Sequence, residues 1–552
     1  KSTSLTRAIT SLSFLVRDFI FCNSYPAISF SYLPKLAYFH SMHKIFAFVL
    51  SYILISQSLP AQSQEKMILQ KFTEENTGSI IDEYARFLYL PNVASDPSGQ
   101  QKNAAFIMEM MKKRGIQNIQ LLNASTANVP PVVYGEVMVP GATQTLIFYA
   151  HYDGQPVNPA QWAPGLEPFV PKLFTNAIDK GGTNIPFPAD GSYQYDWRIY
   201  ARGAADDKAG IGAILNAYDA LVKKGLTPGC NLKFFFEGEE EAGSPHLHEI
   251  LEKHQSLLQS DLWIICDGPI HQSGKKQIVF GARGDTHLDL TVYASKRPLH
   301  SGHYGNWAPN PALMLAQLLA SMKDENGQVT IKGFYDDVTP LSATEQKALK
   351  EVPSVDEQMK KELGITENEM EGLSLNESIN LPSLNINGMQ SGNVGKMASN
   401  QIPTYAIAVL DLRLVLGNDW KRQQQKVINH ISSKGYHVID HDPTDEERNQ
   451  YAKLIKVVPG ADGVNAQRTS MDLPIIQKVI AIVKSTTKDQ LVLQPTMGGT
   501  LPLFVFEQVL KAKTITIPVA NHDNNQHAEN ENIRMGNLLE GIVTMGLLML
   551  FR

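Results

Sequence analysis

The chain has 552 residues, 43% of them hydrophobic and 19% charged, with a formal net charge of −6. That balance excludes disorder as the main state, and it gives no electrostatic footprint for a nucleic-acid partner or a polybasic membrane patch. The length admits two or more domains, and a small substrate is the default expectation.

The first methionine is Met42, followed by His43, Lys44 and the apolar run IFAFVLSYILI, then SQSLPAQSQEK with small residues at Ala61 and Ser63. A short positive region and an apolar stretch too short to span a bilayer read as a secretory signal over 42–63. The expectation is a secreted or periplasmic protein with no stable membrane insertion after cleavage, and with 1–41 a non-native leader outside the fold. Of three cysteines, Cys22 lies in that leader. Cys230 and Cys266 alone make neither a disulfide framework nor a Cys-rich zinc site, and their pairing stays open.

From 64 to about 114 apolar residues recur at helical spacing. PVVYGEVMV, TLIFYAHYD, LKFFFEG and LWIICDG then read as short strands, and KAGIGAILNAYDALVKKG as a helix stopped by Gly225. Strands alternating with helices predict a mostly parallel α/β sheet. From about 281 the texture changes. GDTHLDLTVYAS and TYAIAVLDLRLVL alternate apolar and polar residues, PALMLAQLLASMK is an amphipathic helix, and TEQKALKEVPSVDEQMKKELG reads as a charged, solvated helical surface. The predicted organisation is a catalytic α/β domain over 64–280 and 451–552, interrupted by an α+β insert over 281–450.

The strand tips carry the chemistry. HYD places His151 and Asp153 on one side of an extended chain. ARGAADDKAG offers Asp206 and Asp207, FEGEEEAGSP offers Glu237, Glu239, Glu240 and Glu241, CDG offers Asp267, and NHDNNQHAENE offers His522, Asp523 and His527. Any one of these alone reads as a loop reaching water. Together they lie at the carboxyl ends of strands, where open α/β sheets bind ligands. Imidazoles and carboxylates without a thiolate suit zinc, manganese or cobalt, with one carboxylate able to bridge two ions.

The combination HYD, ARGAADDKAG, FEGEEEAGS, CDG, PLHSGHYG and HAENE resembles, in order and spacing, the co-catalytic zinc metallopeptidases that include carnosinase-type dipeptidases, carboxypeptidase G, aminoacylase and succinyl-diaminopimelate desuccinylase. Ala201 and Ala209 stand where that family usually has glycine. The resemblance implies two zinc ions per chain, with His151, Asp206, Glu241, Asp267 and His527 as ligands and Asp206 bridging. It implies Glu240 as general base, with Glu239 in the variable slot, Asp153 behind His151, and a cis Asp206–Asp207 peptide. In the insert it implies His300 as the oxyanion-stabilising residue, often serving a partner subunit, and His303 as a bystander. Arg413 would grip the substrate carboxylate, assisted by the turn at Gly498, Gly499 and Thr500. The implied activity is hydrolysis of small peptides by a homodimeric dipeptidase or related exopeptidase. An N-acyl amino acid deacylase is the alternative with the same chemistry, and a non-catalytic peptide-binding relative is a further one.

Overall fold

Short apolar runs assemble one large sheet. Its strands are β1 (Gln117–Leu122), β2 (Val132–Val137), β3 (Thr145–His151), β4 (Asn231–Glu237), β5 (Leu262–Ile265), β6 (Gln277–Val279), β7 (Val492–Gln494) and β8 (Thr514–Thr516), and their order is β1-β2-β4-β3-β5-β8-β6-β7. The central four, β4, β3, β5 and β8, run parallel, while β2 and β6 meet them antiparallel. This is the α/β architecture expected from the alternation of strands and helices. The computed structural model describes residues 63–552. The expected leader and the signal segment up to 62 lie outside the described residues.

The three phenylalanines of β4 show why the centre of the sheet is parallel and buried. Phe234 and Phe236 point into one hydrophobic core and Phe235 into another, on the opposite face. All three are fully buried. Each contributes roughly 1.5–3 kcal/mol of burial, and a strand apolar on both faces needs layers on both sides. One layer includes the helix Lys208–Lys224, which packs on the almost wholly buried C-terminal helix Met535–Met549. Asp207 caps the former by accepting from the Gly210 amide, and Gly225 ends it at φ 65°, a left-handed turn that favours glycine.

The insert has its own five-stranded sheet, ordered Ser383–Gln390, Tyr405–Leu414, Gly284–Tyr293, Leu454–Pro459 and His437–Ile439. Helices Pro311–Ala320 and Trp420–Ser433 pack against it. The strand Leu454–Pro459 corrects the expected boundary at 450/451. It pairs with Gly284–Tyr293, so the insert continues past 451. The two connections to the catalytic part lie side by side, Gly281–Ala282 pairing antiparallel with Gln467–Arg468. The charged stretch after 342 forms two helices, Ala343–Glu351 and Asp356–Leu363, the first opened by a Ser342/Glu345 capping box.

Candidate active site

The parallel strands deliver their polar tips to one end of the sheet. His151 is the last residue of β3, Glu237 the last of β4, and Asp267 follows β5 by two residues. The loop after β8 brings in His522 and His527. The chain bends sharply there, with Asn525, His527 and Asn530 at φ 58°, 62° and 60°, a conformation rare for residues other than glycine and met mostly where function requires it.

Asp206 lies at the centre. One of its oxygens is 2.9 Å from His151 Nε2 and the other 3.1 Å from His527 Nε2. His527 Nε2 is also 3.3 Å from Glu241, and His151 Nε2 is 3.9 Å from both Glu240 and Asp267. Asp207 also approaches His151 and Asp267, but its oxygens are committed to the amides of Gly210 and His151. The Asp206–Asp207 peptide is cis.

The triple glutamate divides three ways. Glu239 turns away to hydrogen-bond His246 at 3.0 Å, Glu240 faces His151, and Glu241 faces His527 while accepting from Gln155 at 2.7 Å. Asp153 ties the two sides of the cluster together. Its carboxylate lies 3.3 Å from His151 Nδ1 and accepts the backbone amides of Glu240 and Glu241 at 3.2 and 2.9 Å. Asp523, by contrast, is held in a two-pronged ion pair by Arg198, 3.0 and 2.8 Å from its two oxygens, and serves the loop's shape.

Glu531 was not among the sequence candidates. It is fully buried and accepts from Ala205 N at 2.8 Å, Asp206 N at 3.0 Å, Gly203 N at 3.0 Å and the Arg202 guanidinium at 2.8 Å. It thereby fixes the backbone that presents Asp206. Gly203 makes its bond from a left-handed φ of 78°.

The electrostatics of the cluster call for cations. Burial, then repulsion from Asp206, pushes the Glu241 carboxyl up to about 7. Burial, with Asp206 again opposing ionisation, pushes Asp267 up to about 6. Burial raises Glu240 well above the ordinary glutamate range, and nearby Asp267, Asp206 and Glu241 add to the effect. The hydrogen bond to Asp206, with further attraction from Glu241, raises His527 to about 9. Burial opposes ionisation of Asp206 too, but the two imidazoles hold its carboxyl well below the ordinary range. Two imidazoles and a group of crowded carboxylates, with the nearby arginine Arg202 spent on Glu531, are a donor set that fits a pair of divalent ions.

The cluster opens into a cleft of about 500 Å³ that Asp206, Glu240 and Asp267 share with Gly498, Gly499 and Thr500. Arg413 reaches that turn by donating to Thr500 Oγ1 at 3.0 Å, and its Nε donates to Asp411 at 3.2 Å. His300 is not brought to this cleft. It stands exposed on the insert, its Nδ1 accepting from the Gly302 amide at 3.0 Å, with the His303 ring beside it. Cys230 and Cys266 are both buried, unpaired thiols.

The sequence matches the family model "Peptidase family M20/M25/M40" over residues 147–550. The chain belongs to this family. It is a metal-dependent peptidase. Among similar proteins, the Cys-Gly metallodipeptidase DUG1 of Candida albicans is 26% identical over 507 residues, 87% of this chain and 97% of the relative. The human Beta-Ala-His dipeptidase is 26% identical over 432 residues, 76% of this chain and 77% of the relative. Among solved structures, the M20 family metallo-carboxypeptidase Sso-CP2 of Sulfolobus solfataricus aligns with a TM-score of 0.66 at 27% identity, over 86% of this chain and 98% of its own. One expectation is overturned by these relatives. The fungal Cys-Gly metallodipeptidases, matched over nearly their whole length, are cytosolic enzymes, so the secreted or periplasmic location expected from the sequence is withdrawn. The segment that suggested it lies outside the described residues.

Proposed function

We propose that this M20 peptidase is a two-zinc dipeptidase acting as a homodimer. The observation that carries the reading is Asp206, whose two oxygens face two different imidazoles, His151 on one side and His527 on the other. Asp267 would complete the His151 shell and Glu241 the His527 shell, leaving Asp206 to bridge. Bound zinc would polarise the scissile carbonyl and lower the pKa of water, and imidazole with carboxylate is a donor set it favours, although manganese or cobalt would also fit.

The chain's own groups supply the rest. Glu240 takes the proton of the attacking water and hands it to the leaving amine. A carboxyl whose proton affinity is raised by burial suits that shuttle. Asp153 holds His151 in position and fixes the turn carrying Glu240 and Glu241. Arg413, with Thr500 and the amides near Gly498 and Gly499, grips the substrate carboxylate through its guanidinium fork. His300, exposed and distant from its own cleft, would stabilise the oxyanion in the site of a second copy. The dipeptidase names of the relatives support peptides over N-acyl amino acids. Metal analysis combined with hydrolysis of a dipeptide panel against an N-acetyl amino acid panel tests the proposal. Faster turnover of dipeptides supports it, and faster turnover of acetylated amino acids replaces it with the deacylase.

A further inference from the structure

The charged helices expected to be a plain solvated surface lead into the short helix Leu375–Ser378, and there the insert reaches the cleft: Leu375, Asn376 and Ile379 all line it. Leu375 and Ile379 also line a second cavity, of about 350 Å³, together with Met359, Leu363, Met370 and Leu381. The two cavities therefore adjoin, with Leu375 and Ile379 as their common wall. That volume lies at the lower end of small-ligand pockets, about 300–1,000 Å³.

The position of the junction matters. A Cβ placed on Gly498 would lie 3.7 Å from Ile379 Cγ2, so the wall common to the two cavities abuts the turn that Arg413 braces through Thr500. A wall of the second cavity on the Arg413 side is fixed by Arg283, 7% exposed, whose Nη2 donates to Leu381 O at 2.8 Å and to Ser383 Oγ at 2.9 Å, Ser383 being the strand partner of Arg413. Leu363 leaves 65% of its surface to solvent at the cavity's mouth. An apolar wall left this open gains most from an apolar guest.

We infer that this second cavity receives the side chain of the substrate's C-terminal residue and selects a large apolar one, such as leucine, methionine or phenylalanine, over glycine. The inference rests on the proposed reading of the cleft, in which the substrate carboxylate sits at Arg413 and Thr500. A carboxylate held there would leave the side chain on the same carbon next to Ile379, and a large apolar one would reach past Ile379 and Leu375 into the cavity that they share with the cleft.

The test assays the metal-loaded enzyme on Ala-Gly and Ala-Leu, and in parallel on N-acetyl-Gly and N-acetyl-Leu, so that the preference is read on whichever scaffold is turned over. The leucine substrate should exceed its glycine counterpart in kcat/KM by at least about tenfold, the scale at which an apolar pocket discriminates. In Met359→Ser combined with Met370→Ser the ratio should fall towards unity, with the loss carried by KM for the leucine substrate. Met359→Leu, which keeps the wall apolar, should retain it. Equal rates on leucine and glycine in the unmutated enzyme, or an unchanged ratio in the serine variant, overturn the inference. If neither scaffold is hydrolysed, the proposed function fails, and the cavity is then read by melting. Free leucine should raise Tm more than free glycine in the unmutated protein and lose that advantage in the serine variant, and equal shifts overturn the inference.

Discussion

His151 is wholly buried and held on both sides by Asp153 and Asp206, whereas His300 stands exposed on the insert with the Gly302 amide as its hydrogen-bond partner. The first belongs to a cluster complete within one chain, prearranged by Glu531 and Asp153. The second belongs to the exposed surface of the insert. The insert's edge strand Ser383–Gln390 is likewise exposed along most of its length, with Ile386 and Met389 at 42% and 49%. The charged cluster is locked in by the sheet ends, whereas on the proposed reading His300 would be supplied from the insert to a second copy.

The sharpest way to break this contrast is Glu240→Gln, which keeps shape but removes the proton acceptor. Activity should fall by roughly 10²–10⁴-fold with metal content unchanged. Glu239→Gln should have a mild effect, because Glu239 faces His246 rather than the cluster. Reversed severities in steady-state assays would exchange the two roles. Next in size is Glu531→Ala. It leaves Arg202 buried without its partner, and chemical denaturation should show a loss of about 3–5 kcal/mol. A loss below about 1 kcal/mol would mean that the Asp206 loop holds itself.

His300→Ala tests the exposed side, on the proposed reading that His300 serves a second copy. It should cost about 10²–10³-fold in kcat, the scale of a lost oxyanion donor, although no contact joins His300 to its own cleft. Mixing it with Glu240→Gln should restore activity through hybrid dimers in which one site has both groups. Absence of recovery despite demonstrated subunit exchange would assign His300 to its own subunit.

A smaller effect follows from protons competing with metal. In the metal-free fold Glu241 and Asp267 stay protonated up to about 7 and 6, so below those values a metal must displace their protons in addition to the one that His527 holds up to about 9. The rise in Tm on adding zinc should therefore be larger at pH 8 than at pH 5.5, as read by scanning calorimetry. An equal rise at both would remove these carboxylates from the site.

The strand tips were legible because each sits where a short apolar run ends, and periodicity alone locates such ends. His151, Glu240, Asp267 and their strands follow from that, and the turn order within EEE followed from the resemblance. Glu531 was not legible: its partners are residues 202–206, more than 300 positions upstream, and nothing local distinguishes it from Glu529. The boundary near 451 failed for a similar reason. LIKVVP reads as an apolar strand in either domain, and only its pairing with Gly284–Tyr293 assigns it to the insert. The charged helices after 342 concealed the apolar residues at 375 and 379 because surface charge dominates that stretch.

The central claim is that Asp206 joins two metal shells, and metal stoichiometry tests it most directly. Elemental analysis of the purified protein, loaded with zinc and freed of excess ion, should give about two ions per chain in the unmutated enzyme. It should give markedly fewer in Asp206→Asn, with the fold intact by circular dichroism. An intact protein that retains no divalent ion, or an Asp206→Asn variant that holds as much metal as the parent, would contradict the account.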